Sequence, residues 1–175
     1  MTISAKEAVE ADVVLRTLWK YWRDRRGDRL LPNRAEIDPV DIPTILPYLQ
    51  LIEYVSGRFR FRLTGTAVVE SYGAELTGKF VDDCMRGNRS EIAIRHFAMV
   101  IDTRKPLFVR NRYERTGGAL FIATRIMLPL SIGTDPAAGI ILMGSTYEFA
   151  STFAARCGMD AHTSMRLAER EFLSD

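Results

Sequence analysis

The sequence has few of the residues from which metal sites and disulfide frameworks are built. Its 175 residues include two cysteines and two histidines. Cys84 and Cys157 have no partner cysteines, which is typical of buried thiols in a reducing cytoplasm. His96 and His162 add no pattern expected of a metal site. We therefore predict a cytoplasmic protein without metal ligands.

Long apolar runs are also missing. No run reaches the ~18 residues needed to cross a bilayer, so a membrane span is not expected. The first residues, MTISAKEAVEADVV, carry acidic groups and lack the apolar core of a signal peptide. A hydrophobic fraction of 47% is nevertheless ample for a folded core.

An excess of charge of one sign is lacking as well. The chain has 24 Lys and Arg against 22 Asp and Glu, a net charge of +2, which argues against a nucleic-acid partner. Basic residues do concentrate between Lys20 and Arg34. A solvated helix end is the favoured interpretation, and a patch for a polyanion or membrane surface is the alternative.

Motifs of known catalytic sites are absent. The sequence has no nucleophile elbow, H-E-x-x-H pair, Walker loop or G-x-G-x-x-G fingerprint. Glu70 lies in an apolar run and could act as the base of a cone-shaped α+β isomerase. No donor groups accompany it in the sequence, so a solvent-facing helix residue is favoured and an enzyme is not expected.

An alternating stretch organises the middle of the chain. Apolar and basic residues alternate through RFRFRLT, residues 58–64, which predicts a strand with one apolar and one cationic face. Gly65, Gly73 and Gly78 follow and indicate short helical turns that form one wall of a cavity. Arg60 and Arg62 are expected to pair with neighbouring carboxylates, although an anion site is possible. For Arg62 we favour a role in orienting the N-terminal helix or connector.

The N-terminal residues 4–27 predict one helix. Ser4 and Glu7 form a capping box, and Gly27 is a suitable stop. An apolar stripe along this helix includes Trp19 and Trp22. Packing of the stripe on the protein's own sheet is favoured over a dimer interface.

The remaining elements predict an α+β fold. Two strands, short helices, a longer helix, three strands and a C-terminal helix follow one another, and the longer helix is apolar nearly all round between Ile92 and Ile101. We predict a five-stranded antiparallel sheet with helices on one face. Residues 1–48 form an N-terminal helix and connector, 49–149 the core, and 150–175 a C-terminal helical extension.

This order of elements resembles the PAS domain, and more narrowly a bacterial subfamily of stand-alone PAS proteins of unassigned function. The resemblance rests on LP with Arg34, IDP at 37–39, LP at 46–47, FRLTGT at 61–66, Gly73, LTG at 76–78 and PL at 129–130. It implies a sensory or protein-interaction fold with a pocket between the sheet and the helices. We therefore expect a non-catalytic signalling protein that binds a small molecule, a protein partner or a second copy of itself.

The expected ligand site lies between the longer helix and the sheet. Its predicted lining is Tyr72, Ile92, His96, Met99, Val109, Tyr113 and Ile126. A largely apolar or weakly acidic ligand would fit it, whereas side chains that fill the pocket would leave a pure interaction scaffold.

No cofactor is expected in this pocket. His96 falls where haem-binding PAS domains carry their proximal ligand, but a histidine satisfied within the protein is favoured. Cys84 does not stand in the flavin-type cysteine motif of this fold. A haem absorption band that disappears in His96→Ala would contradict this expectation.

Overall fold

A single antiparallel sheet forms the centre of the protein. The computed structural model describes residues 4–85, 88–114, 118–158 and 168–174. The strands in these residues are β1 (Leu49–Val55), β2 (Arg58–Thr64), β3 (Leu107–Glu114), β4 (Leu120–Ile132), β5 (Asp135–Phe149) and β6 (Ala168–Phe172). Their order across the sheet is β2-β1-β5-β4-β3-β6. The predicted α+β class is confirmed, with one strand more than expected.

The described helices are α1 (Ala5–Ala11), α2 (Val13–Arg26), α3 (Thr66–Tyr72), α4 (Val81–Cys84), α5 (Asn88–Thr103) and α6 (Ala150–Cys157). The connector before β1 contains three short 3-10 segments, at Arg34–Glu36, Pro39–Asp41 and Pro43–Tyr48. No helix in the described ranges is both long and apolar enough to cross a membrane.

Helices cover both faces of the sheet. Successive side chains of a strand point to opposite sides, so each face presents its own set of residues to a helix. The side that carries Val109, Met127 and Met143 is called the front face. These residues pack with Phe97 and Val100 of α5. The back face carries Phe108, Ile126, Leu128 and Leu142, which pack with Leu15, Leu18 and Trp22 of α2. The prediction of helices on one face was therefore incomplete, since α2 covers the other.

The N-terminal region is two helices rather than one. The Ser4 and Glu7 capping box and the stop at Gly27 are present as predicted. The break comes at Asp12, whose Oδ1 accepts hydrogen bonds from the backbone nitrogens of Val14 at 2.9 Å and Leu15 at 3.1 Å. A carboxylate that caps the second helix in this way competes with a continuous helical ladder.

The two tryptophans pack on the protein's own sheet, as favoured. Trp22 is 1% exposed and donates a hydrogen bond from Nε1 to the Pro129 carbonyl at 3.0 Å. Trp19 stacks on it with ring centroids 5.6 Å apart. A Cβ at Gly144 of β5 would lie 2.7 Å from Leu18, so glycine lets α2 approach the sheet closely.

The C-terminal extension is only partly helical. After α6, residues 168–172 form β6 and pair with β3 instead of continuing a helix. The Glu169 carboxylate on β6 meets Nη1 of the buried Arg110 on β3 at 3.0 Å, and the Leu173 nitrogen bonds the Pro106 carbonyl at 2.9 Å. These contacts favour a strand because β3 would otherwise present an unpaired edge.

The long helix α5 is less buried than its composition suggested. Phe97 and Val100 are its fully buried residues among those described, whereas Ile92 is 42% exposed. The stretch between Ile92 and Ile101 is apolar nearly all round, but one side of it borders an open cavity.

Candidate functional site

A cavity of about 1020 Å³ lies between α3, α5 and the front face of the sheet. The helix contributes positions 89, 92, 93, 96 and 97, whose spacing puts them on one side of α5. The apolar part of the wall includes Phe61, Val68, Leu76, Phe97, Met127 and Met143. The rest of the wall is polar, and a cavity of this volume with a mixed wall can accommodate a small molecule.

Most of the residues predicted to line a ligand site border this cavity. They are Tyr72, Ile92, His96, Val109 and Tyr113. Met99 and Ile126 do not border it. Whether any of these side chains contacts a ligand stays a prediction.

Ile126 lies on the opposite side of the sheet from where it was expected. Its cross-strand partner is Phe108, and both belong to the back-face core with Leu15 and Leu18. The neighbouring residue, Arg125, pairs with Val109 and therefore occupies the front face. Reading β4 one residue out of register exchanges the two faces of the strand.

Met99 contacts the edge of the sheet rather than the cavity. Its sulfur lies 3.7 Å from Nη1 of Arg170 on β6. Ala98, one position earlier, borders a smaller groove beside the β1–β2 hairpin, together with Tyr54 and Phe59. Ala93 is the small α5 residue that borders the large cavity.

The two tyrosines of the predicted lining have partners within the protein. The Tyr113 hydroxyl lies 2.5 Å from Ser71 Oγ. Tyr72 donates its hydroxyl hydrogen to the Cys84 carbonyl at 2.8 Å, and burial raises the pKa of this phenol. These bonds tie α3 to β3 and to α4, so both residues help to build the wall.

Arg125 is the main polar group that sequence reasoning missed. It stands among buried residues in the middle of β4, and its side chain is half-buried. Nη1 donates to Asn111 Oδ1 at 2.8 Å, and the guanidinium lies 5.9 Å from the centre of the Tyr147 ring. The described residues provide no carboxylate partner for Arg125.

A second missed group is Gln50, which is 3% exposed. Its Oε1 accepts a hydrogen bond from Ser145 Oγ at 3.2 Å. Its Nε2 donates to no other described residue, and Gln50 borders the cavity. Ser145 pairs with Arg125 across the β4–β5 ladder, so both donors lie beside the same serine.

His96 adds a neutral imidazole to this polar part of the wall. Burial, followed by the positive charges of Arg170, Arg125 and Arg95, lowers its pKa from 6.5 to about 4. Neither ring nitrogen forms a hydrogen bond with another residue in the described part of the chain. We had favoured a histidine that is hydrogen-bonded within the protein, so this expectation differs from the structure. At neutral pH the ring offers one donor and one acceptor.

The other polar candidates pair within the protein or face solvent. Arg60 Nε donates to Glu53 at 2.6 Å and Arg62 lies 3.3 Å from the same carboxylate, as the pairing prediction required. Among the described residues, no hydrogen bond or ion pair joins Arg62 to the N-terminal helix or the connector. Glu70 is exposed, as the favoured interpretation had it.

The two cysteines belong to no metal site among the described residues. Cys84 and Cys157 are free and half-buried, and burial raises the pKa of the Cys84 thiol. The described residues contain no cluster of three or more potential metal ligands. His162 lies outside the described residues.

Comparison with solved structures finds low overall similarity to LOV domains. A LOV protein of Rhodobacter sphaeroides shares 16% identity over 74% of this chain and 81% of its own, with a TM-score of 0.46. A fungal LOV domain photoreceptor shares 12% identity over 65% of this chain and 93% of its own, with a TM-score of 0.44. A search of curated proteins returned no match.

A family model gives the decisive comparison. The PAS domain model matches residues 11–146, a span that includes α2, the connector, α3 to α5 and most of β5. This span contains every residue that borders the large cavity except Tyr147, and it agrees with the resemblance found in the sequence motifs. The chain belongs to the PAS domain family.

Proposed function

We propose that this PAS domain is a non-catalytic sensory module that binds a small, largely apolar molecule in its front-face cavity. The observation that carries the proposal is the cavity itself, whose wall combines apolar side chains with polar groups that include Arg125, Gln50 and His96. Apolar surface would supply most of the binding free energy, and the few polar groups would fix the orientation of the ligand.

The rival functions find less support. A pure scaffold would have the space filled by side chains, whereas about 1020 Å³ stays open. The isomerase alternative required Glu70 to act inside the cavity, but Glu70 is exposed and is not among the cavity-lining residues. Binding without turnover is therefore the proposal, and a change in contacts to a partner protein or to a second copy would carry the signal.

Paired tryptophan substitutions on α5 test the location of the ligand. Ala93→Trp adds a large side chain at the cavity wall, whereas Ala98→Trp adds the same side chain at the smaller groove. Native mass spectrometry of the purified proteins, with calorimetric titration of decanol, reports retained and added ligands. We expect wild type and Ala98→Trp to bind and Ala93→Trp to lose binding, with all three folded by circular dichroism.

The proposal is wrong if wild type retains no small molecule and binds neither decanol nor any acid or amide with an apolar body. Equal binding by the two tryptophan variants would also contradict it, because the ligand would then occupy another surface.

A further inference from the structure

Two partly buried arginines of the central sheet differ in how their charge is balanced. Arg110 on β3 is 6% exposed and meets the Glu169 carboxylate at 3.0 Å on the back face. Arg125 on β4 faces the front-face cavity, where its described partners are the neutral Asn111 amide and the Tyr147 ring. A half-buried cation without a counter-charge is less favourable than one that is paired with a carboxylate.

The groups around Arg125 are suited to an anion rather than a cation. Gln50 also borders the cavity, and its Oε1 accepts a hydrogen bond from Ser145, the cross-strand partner of Arg125. Arg170 and Arg95 add positive charge close enough to affect His96. Among the described lining residues, Glu114 is the one that carries a carboxylate. It lies near Gly118, at the hairpin end of β3.

We propose that the ligand of this cavity carries a carboxylate that pairs with the Arg125 guanidinium and accepts a hydrogen bond from Gln50 Nε2. Its apolar body then lies along Phe61, Leu76, Phe97, Met127 and Met143. This inference rests on the proposed function, because it names the chemical class of the molecule that the cavity takes. A guanidinium can donate two parallel hydrogen bonds to a carboxylate, which fixes the head of the ligand as well as its charge.

The test compares a carboxylate with its neutral amide. Decanoate and decanamide share one alkyl chain, and naphthylacetate and naphthylacetamide share one aromatic body, so the two pairs distinguish acyl from aryl ligands. Calorimetric titrations near pH 7 and below micellar concentrations would give the affinity ratio of each acid to its amide. Because a hydrogen bond to a charged group is worth roughly 1.5–3 kcal/mol, we expect at least one acid to bind about tenfold to a hundredfold more tightly.

Three variants identify the source of that preference. Arg125→Gln is expected to bring the ratio close to one while amide binding persists, and Arg125→Lys to restore part of it. Arg62→Gln removes the same charge from the exposed strand face and should leave the ratio unchanged. Thermal melting of each variant reports whether it is folded.

The outcomes separate the two claims. Equal binding of acid and amide by wild type, or a preference that survives Arg125→Gln, overturns the carboxylate proposal and leaves cavity binding intact. Failure of every acid and amide to bind wild type overturns the carboxylate proposal as well, and with decanol also inactive it overturns the proposed function.

Discussion

Replacement of Trp22 by alanine should cost more stability than any other single truncation on α2. The side chain is 1% exposed, stacks on Trp19 and donates to the Pro129 carbonyl. Removing a buried tryptophan costs about 3–5 kcal/mol, and the stranded carbonyl adds roughly 1–3 kcal/mol. We therefore expect a loss of about 4–8 kcal/mol in the free energy of unfolding, measured by urea titration.

Two further variants separate the contributions. Trp22→Phe keeps most of the ring volume and removes the donor, so it should cost about 1–3 kcal/mol. Tyr54→Ala removes an aromatic ring that is 51% exposed and should cost far less than Trp22→Ala. If Trp22→Ala unfolds like wild type but changes the oligomer mass, the tryptophans serve a dimer interface and the back-face packing is wrong.

Three other predictions concern pH, backbone approach and the edge strand. The pKa of His96 is lowered in the folded state, so its contribution to stability is complete above pH 6.5 and is lost as the pH falls toward about 4. His96→Gln should therefore flatten the dependence of unfolding free energy on pH over that interval, as measured by urea titration. An unchanged slope of unfolding free energy against pH would contradict this prediction. Gly65→Ala should destabilise the protein by more than about 2 kcal/mol, because the added Cβ would lie 2.3 Å from the Pro47 carbonyl oxygen. A melting temperature equal to that of wild type would show that Gly65 does not approach this carbonyl so closely. Glu169→Gln should lower the free energy of unfolding by roughly 3 kcal/mol, because it leaves buried Arg110 without a counter-charge. If the pairing is correct, the double variant with Arg110→Met should recover much of this stability.

The sequence predicted the elements whose signals are local. The alternation through residues 58–64, the capping box at Ser4 and the stop at Gly27 each specify a short piece of backbone through its own chemistry. Strand β6 depends instead on an edge that β3 offers from far along the chain. A five-residue segment with alternating charges carries no local signal strong enough to separate strand from helix.

The cavity could be located from the sequence, but its chemistry could not. The helix periodicity and the glycines after β2 predicted a space bordered by Tyr72 and His96. Arg125 was hidden because its face depends on the register of β4, where the neighbouring Ile126 is the apolar residue. Gln50 could not be identified because it is a single polar residue in a buried run of β1. The sequence does not show which polar residue of a strand faces a cavity, since this depends on how the sheet is assembled.

Methionine methyl groups offer the most direct test of where the ligand sits. Met85, Met127 and Met143 border the cavity, whereas Met99 of α5 lies outside it near Arg170. In a titration of methyl-labelled protein with decanoate followed by NMR, we expect saturable shifts for the three cavity methionines and little change for Met99. Saturable shifts at Met99 with the three cavity signals unmoved would contradict ligand binding in the front-face cavity.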